Sequence, residues 1–379
     1  MKKLLSMFML VLIVVSLVAC GGSSDNQVAD DSGEEAQVSD EVASEELSDG
    51  EEAVSDEELP ILGAGIYSAA DSFLAYIGNA IENESEGKFS VTIEDGQYDQ
   101  ARQNNQVDSM LARGASVVTL GLVDKTAAPT IIEKCKAAGD IPVIFFNNEV
   151  TDTDVIDSYD HLYQVISTGG DYGSVIQGEM VADYINSHPE TDKNGDGKIQ
   201  IVLLSGEPGH SASQPRAEFV KSTIEEQGIE LDVLEEDTGM WRSDISKDKM
   251  DAWISKHGDD IEFIIAGSDA MALGALQSIQ VAGYNMDGPG GENFIPVIGI
   301  DALPEVIDRI ENGEMIGSVL QDASGQGKAV VQIAQNFVEG NDPLAGLEEF
   351  SVIEEIRAVE IPYQPVTAEN AAVVKEAYE

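Results

Sequence analysis

Basic residues, cysteine and tryptophan are the scarce components of this 379-residue chain. Lys and Arg total 20 against 71 Asp and Glu, which gives a formal net charge of −51. Nucleic acid is excluded as a partner on that balance, because phosphate binding needs clustered Lys and Arg. The same deficit argues against a peripheral protein held by anionic lipid headgroups. There are two cysteines, Cys20 and Cys135, so no disulfide framework organises the chain. No GxGxxG and no GxxxxGK[ST] occurs, and nucleotide-dependent chemistry loses its usual phosphate cradle. Only four histidines and two tryptophans are present.

The charge is unevenly distributed. Residues 1–19 hold two lysines followed by an apolar run from Leu4 to Ala19, the n-region and h-region of an export signal. The run is short for a comfortable membrane span. It ends in Leu17-Val18-Ala19-Cys20 followed by Gly21-Gly22-Ser23-Ser24, which resembles a bacterial lipobox. That resemblance implies a signal peptide over 1–19, lipidation of Cys20, and an address on the outer face of the bacterial cytoplasmic membrane. Residues 21–59 contain fifteen acids, no Lys or Arg and no aromatic residue. Such a segment cannot offset its chain entropy by burial. Residues 20–59 are therefore expected to be a disordered tether that extends by self-repulsion.

From Ile61 onward short apolar runs alternate with amphipathic stretches of helical length. Expected strands are Leu62–Tyr67, Phe89–Glu94, Val117–Leu120, Pro142–Phe146, Ile199–Leu204, Leu231–Glu235, Phe263–Ala266, Pro296–Ile300 and Gly317–Leu320. Near-continuous Val, Ile and Leu runs suit parallel strands covered on both faces. So many βα units are too wide for one sheet, so the pattern implies an α/β fold with two doubly wound, Rossmann-like parallel-sheet lobes. Ligand residues then fall at the C-terminal ends of strands. Those ends carry Asp71, Phe73, Asn147, His210, Trp241, Ser268 and Asp301. Carboxylates accept hydrogen bonds from hydroxyls, while Asn, His and Arg donate to sugar oxygens. Aromatic faces pack on the C–H faces of a sugar ring. Read alone, Asp71 could simply cap the next helix, and Phe73 and Trp241 could be core residues. Cys135 sits in an expected helix beside Ile131 and Ile132, where a buried structural thiol is expected.

Residues 192–200 read Asp-Lys-Asn-Gly-Asp-Gly-Lys-Ile-Gln, with oxygen side chains at alternate positions and Gly sixth, as in the first part of an EF-hand loop. Asp192, Asn194, Asp196, the Lys198 carbonyl and Gln200 are the candidate ligands. The twelfth position is Leu203 rather than Glu, so an Asp- and Gly-rich turn without metal is the alternative from the residues alone.

Leu122-Val-Asp124, Val143-Ile-Phe-Phe-Asn147, Gly206-Glu-Pro-Gly-His210, Asp248-Lys-Met-Asp-Ala-Trp253, Asp269-Ala-Met-Ala and Asp301-Ala-Leu-Pro304 together resemble the type I periplasmic binding proteins, specifically their galactose/glucose-binding branch. The likeness covers residues 61–365. It implies a hexose-binding component of an ABC importer: a monomer, not an enzyme, whose lobes close on a monosaccharide and deliver it to a permease. The resemblance places stacking aromatics at Phe73 and Trp241. It places polar sugar contacts at Asp71, Asn147, His210, Arg216 and Asp301, with Ser268 and Gln321 in the positions of two family Asn residues. Ala212 departs from a usual Asp, and Ser213 or Gln214 are candidates to compensate. The resemblance also implies a structural Ca²⁺ completed by Glu262. Three chain crossings are implied, near Ile166–Gly169, Asp322–Ala323 and Ala358–Glu360. They divide the body into one lobe of residues 60–166 plus 323–357 and another of 167–322 plus 358–379. A sensor presenting sugar to a membrane receptor shares all these features. A glycoside hydrolase pairing Asp71 with Asp301 is the alternative enzyme reading.

Overall fold

The computed structural model describes residues 58–167, 171–289, 291 and 293–376. The expected signal peptide, Cys20 and all of the expected tether except residues 58 and 59 lie outside the described residues, as do residues 168–170 in the first expected crossing.

The first run of elements is β1 (Ile61–Ile66), α1 (Ser72–Glu84), β2 (Ser90–Asp95), α2 (Gln100–Ala112), β3 (Val117–Gly121), α3 (Ala128–Ala137), β4 (Val143–Phe146), α4 (Thr153–Asp157) and β5 (Leu162–Ser167). The second is α5 (Ser174–Ser187), β6 (Lys198–Ser205), α6 (Ser213–Glu226), β7 (Glu230–Thr238), α7 (Ser243–His257), β8 (Phe263–Ala266), α8 (Asp269–Val281), β9 (Val297–Ile298), α9 (Pro304–Glu311) and β10 (Ser318–Leu320). The chain then continues through α10 (Ala323–Glu339), β11 (Ser351–Ile353), β12 (Ala358–Ile361), β13 (Gln364–Val366) and α11 (Ala371–Glu376).

One sheet has the order β11-β12-β5-β4-β3-β1-β2, parallel except for the β11–β12 pair. The other has the order β7-β6-β8-β9, all parallel. Single bridges from Ile298 to Gly317 and from Asp301 to Leu320 attach β10, which pairs antiparallel with β13. Each sheet thus begins with the same 2-1-3 reversal, at β2-β1-β3 and at β7-β6-β8. Crevices open at such switch points, outside the C-terminal strand ends.

Alternating side chains divide each sheet between two apolar layers. In β4, Val143 and Phe145 join the layer of Ile131, Ile132 and Cys135, while Ile144 and Phe146 join that of Leu74, Ile77 and Val330. In β6, Ile201 and Leu203 pack with Val220 and Ile224, while Val202 and Leu204 pack with Met250 and Trp253. Burying a side chain such as Phe145 contributes about 2–3 kcal/mol. Cys135 is fully buried, and burial pushes its thiol up to about 12, so it is a packing residue.

One lobe boundary needs correction. The expected second lobe includes residues 358–361, but β12 pairs parallel with β5 over Ala358–Ile361 as part of the seven-stranded sheet. The last crossing therefore falls at Pro362-Tyr363, between β12 and β13. β5 itself is absent from the expected strands. Its sequence, Leu-Tyr-Gln-Val-Ile-Ser, lacks a full apolar run, because Gln164 is buried to bond Val150 rather than to pack.

Candidate functional site

Local chain geometry places the polar groups. At the end of β1, Asp71 has extended backbone and caps α1, its Oδ1 accepting from the Leu74 N–H at 3.2 Å. Its Oδ2 accepts from the Tyr67 hydroxyl. Asp71 is therefore both a cap and a pocket carboxylate, and burial raises its pKa while the Tyr67 hydrogen bond opposes the rise. After β4, Asn147 takes φ 63°, a left-handed turn that Asn tolerates. After β9, Asp301 has φ 127° and Ala302 φ 54°, so the chain turns sharply where the carboxylate projects.

Arg216, on α6, is 5% exposed and is held by four acceptors. Its Nε donates to the Tyr172 carbonyl (3.1 Å), Nη1 to the Gly267 carbonyl (2.6 Å), and Nη2 to Gln321 Oε1 (2.7 Å) and the Tyr363 hydroxyl (3.0 Å). Nη1 lies 3.9 Å from Asp301 Oδ1. The guanidinium carbon stands 5.6 Å from the Trp241 ring centroid and 5.9 Å from that of Tyr363. Gln321 passes the network on, donating from Nε2 to Asn147 Oδ1 at 3.3 Å.

Asp301 is raised well above the usual carboxylate range, first by burial and then by neighbouring Asp269, with Arg216 opposing. Asp269 is itself pushed up to about 7 by burial, against hydrogen bonds from Ser318, Leu303 and Ala302. It faces inward, accepting from Ser318 Oγ (2.7 Å) and the Leu303 N–H (2.8 Å), and serves to hold the Asp301 turn.

His210 lies on the β6–α6 loop. Its Nδ1 accepts from the Ala212 N–H at 3.2 Å, so the neutral ring carries its proton on Nε2. Burial, with Arg216 and Lys125 nearby, lowers its pKa to about 3. His210 Nε2 and Trp241 Nε1 are buried without a protein partner among the described residues. Two donors in that state call for acceptors from a bound molecule. The Trp241 ring also meets His210 edge-on at 5.3 Å.

All nine expected sugar contacts, Asp71, Phe73, Asn147, His210, Arg216, Trp241, Ser268, Asp301 and Gln321, line one pocket. Phe73 and Trp241 also belong to the apolar layers of their sheets, so the core reading and the pocket reading both hold. Ser268 contributes as the cap of α8. The pocket also holds residues that the sequence reasoning missed: Tyr67, Glu149, Ser167, Tyr172 and Tyr363. Tyr363 stands between two prolines at the last crossing, and an aromatic in so constrained a segment was a usable signal. Ser213 and Gln214 are not among the lining residues, although Ala212 is.

The acidic loop is a separate place. Asp192 accepts from Gly195 N–H (2.7 Å) and Gly197 N–H (3.0 Å), and Asn194 Oδ1 from Asp196 N–H (2.8 Å). Glu262 comes from 62 residues beyond Gln200, accepting from the N–H groups of Lys193 (2.6 Å) and Gln200 (3.0 Å). Its carboxyl is raised by burial, against three backbone hydrogen bonds. Among the described residues no three His, Cys, Asp or Glu side chains form a ready metal cluster. The set is instead mixed, with amide and carbonyl oxygens. Gln200 Oε1 is buried without a partner while its Nε2 donates to Asp196 Oδ2 at 3.0 Å. Rotating that one amide exchanges its donor for an oxygen facing Asp196, so the residues fit a hard cation.

A family model described as a periplasmic binding protein domain matches residues 65–342. The chain is 39% identical to the D-galactose/methyl-galactoside binding periplasmic protein of Haemophilus influenzae, over 82% of this chain and 90% of that one. An ABC transporter solute binding protein from Bacillus halodurans with bound myo-inositol superposes with a TM-score of 0.67 at 27% identity, covering 86% of this chain and all of the other. The binding component of an arabinose ABC transporter from Shewanella superposes with a TM-score of 0.66 at 19% identity, covering 84% and 95%, a likeness of fold.

Proposed function

The chain belongs to the periplasmic binding protein domain family, and from that premise we propose that it captures a hexose, D-galactose, D-glucose or a methyl-galactoside, outside the cytoplasm and hands it to an ABC transporter permease. The observation that carries this reading is the Arg216 network. It fixes a planar donor fork beside Asp301, Asn147 and the Trp241 face, while His210 Nε2 and Trp241 Nε1 stand ready to donate. A neutral polyhydroxylated ring matches that alternation of donors, acceptors and apolar faces. The name of the Haemophilus relative supports galactose in particular.

Capture works by lobe closure. Asp71, Phe73 and Asn147 follow strands of one sheet, and His210, Arg216, Trp241, Ser268 and Asp301 belong to the other lobe. A sugar touches both sets only when the lobes approach, so binding shifts the population towards the closed form. No step breaks a bond, and the protein is a binder rather than an enzyme. Cys20 is read as the lipid anchor that holds the body to the membrane as a monomer. Asp192, Asn194, Asp196, the Lys198 carbonyl, Gln200 and Glu262 would hold Ca²⁺, which supplies a cross-link between the loop and β8 and no chemistry.

Calorimetry of the purified chain against D-galactose, D-glucose, β-methylgalactoside, ribose, xylose and arabinose tests the reading. A hexose is expected to give saturable heat at one site. Heat with pentoses alone would overturn the hexose assignment.

A further inference from the structure

The pocket holds one more carboxylate besides Asp71 and Asp301. Glu149 is 8% exposed and lines the pocket beside Tyr172 and Ala212. Its backbone is clamped on both sides. Asn148 Nδ2 donates to the Leu122 carbonyl at 3.2 Å, and Val150 exchanges two hydrogen bonds with the Gln164 side chain, at 2.8 and 3.0 Å. The Asn147–Val150 segment is therefore fixed to the end of β3 and the middle of β5, and Glu149 is not a loop residue free to swing into water.

One of its oxygens, Oε1, accepts from the Tyr172 hydroxyl. Among the described residues the other oxygen has no protein partner. The same Tyr172 hydroxyl lies beside the hydroxyl of Ser211, the residue next to Ala212. Tyr172 also anchors Arg216 through its carbonyl at 3.1 Å. Glu149 thus stands one hydroxyl away from the helix start where the sequence puts an alanine in place of an acceptor. A pocket-lining carboxylate with one oxygen occupied and the other without a protein partner can accept from a ligand hydroxyl.

We propose that Glu149, positioned by Tyr172, is a further specificity-determining residue that accepts a hydrogen bond from a sugar hydroxyl on the Ser211–Ala212 side of the pocket. The proposal rests on the hexose reading. It makes the acceptor at this side a property of the β4 loop in one lobe rather than of α6 in the other. Closure then brings the Glu149 carboxylate and the Arg216 fork to the same ring from opposite lobes.

The test is calorimetry of wild type and Glu149→Gln with D-galactose, D-glucose and the five monodeoxy galactoses. Glu149→Gln should weaken the parent hexose at least about tenfold, the scale of a lost hydrogen bond to a charged group. That factor should vanish for one deoxy sugar, the one lacking the hydroxyl that Glu149 receives, as a double-mutant cycle requires. Ala212→Asp added to Glu149→Gln should recover part of the loss. If Glu149→Gln does not fold, by the loss of its melting transition, Glu149→Asp is compared instead and should give the same deoxy pattern. Parent affinity within twofold of wild type would overturn the proposal. So would an equal loss for every deoxy sugar, which would mean that Glu149 only holds Tyr172. A wild type that binds no hexose would overturn the hexose reading itself, and this proposal with it.

Discussion

The Trp241 indole lies on the backbone of Gly206, so closely that a Cβ at position 206 would stand 1.9 Å from Cζ2 and 2.0 Å from Cη2. Glycine is required there by contact with the ring. Trp241 itself sits at φ 57° after Met240 at φ 55°, so its rotation is set by a left-handed turn below and a bare backbone above. Gly206→Ala must expel the ring from the pocket wall. Overpacking of this kind costs about 1–3 kcal/mol, which a body of this size should survive. Hexose affinity should fall at least about a hundredfold, because the stacking face and the Nε1 donor leave together. Trp253 packs in the core away from the pocket. In a Trp253→Phe background, the emission of Trp241 should therefore respond to sugar, and in Gly206→Ala it should not. A Gly206→Ala protein that binds normally would refute this account of the ring.

Arg216→Lys tests whether the fork or the charge matters. Four acceptors, the carbonyls of Tyr172 and Gly267 and the side chains of Gln321 and Tyr363, surround Arg216. An ammonium is a point donor and cannot reach such a planar arrangement. At least one buried acceptor is left unmet, at about 1–3 kcal/mol each. The melting midpoint without sugar should drop by several degrees, and hexose heat should disappear. Retention of both in Arg216→Lys would show that charge alone suffices.

The larger architecture was legible because parallel strands buried on both faces are written as apolar runs, and β1, β3, β4, β6 and β8 are such runs. β5 was not, because Gln164 is a buried polar residue whose partner lies fourteen residues away. β12 reads Ala-Val-Glu-Ile, too short and too polar to place in one sheet over another, and only its pairing with β5 decides. The site divides along the same line. Residues embedded in motifs, such as His210 in Gly-Glu-Pro-Gly-His, could be read directly. Glu149 and Tyr172 reach the pocket through long-range geometry, meeting each other across 23 residues, and no local pattern announces them.

The pH dependence of folding should carry a signature of His210. Its pKa is about 3 in the folded protein, against an ordinary 6.5. Above pH 6.5 neither folded nor unfolded chain protonates this ring. Below that, the unfolded chain takes the proton and the folded chain refuses it until about pH 3. This contribution is therefore fully present above pH 6.5 and is lost as pH falls. The limiting slope is about 1.4 kcal/mol per pH unit. Asp269, raised to about 7, acts in the opposite sense, adding stability in acid that is lost as pH rises from 3.8 towards 7. The two trends overlap, so total stability against pH does not isolate His210. Comparison with His210→Gln does. Between pH 6.5 and 4.5 wild type should lose about 2–3 kcal/mol relative to the variant, read from denaturant midpoints. Parallel curves for the two proteins would show that the folded ring takes up its proton over the same pH range as the unfolded chain.

Calcium should stabilise the protein through Glu262 without touching the sugar pocket. The loop from Asp192 to Gln200 closes on its own amides, and Glu262 ties it to β8 through the N–H groups of Lys193 and Gln200. Burial and the Asp192 charge both raise the Glu262 carboxyl, against those amides, and a divalent cation would relieve the repulsion between the two carboxylates. A ligand present at a hundred times its dissociation constant stabilises by about 2.7 kcal/mol, or several degrees in the melting midpoint for a body of this size. EGTA should lower the midpoint by that amount and added Ca²⁺ should restore it. Glu262→Gln lowers stability whether or not metal binds, since an amide nitrogen then faces backbone N–H groups. The informative quantity is accordingly the gap between the Ca²⁺ and EGTA midpoints, which should shrink towards zero in the variant. Sugar affinity, measured by titrating hexose in each solution, should be the same in both wherever the fold persists. A wild-type midpoint that EGTA leaves unmoved would remove the cation from this loop and leave an Asp- and Gly-rich turn held by its own hydrogen bonds.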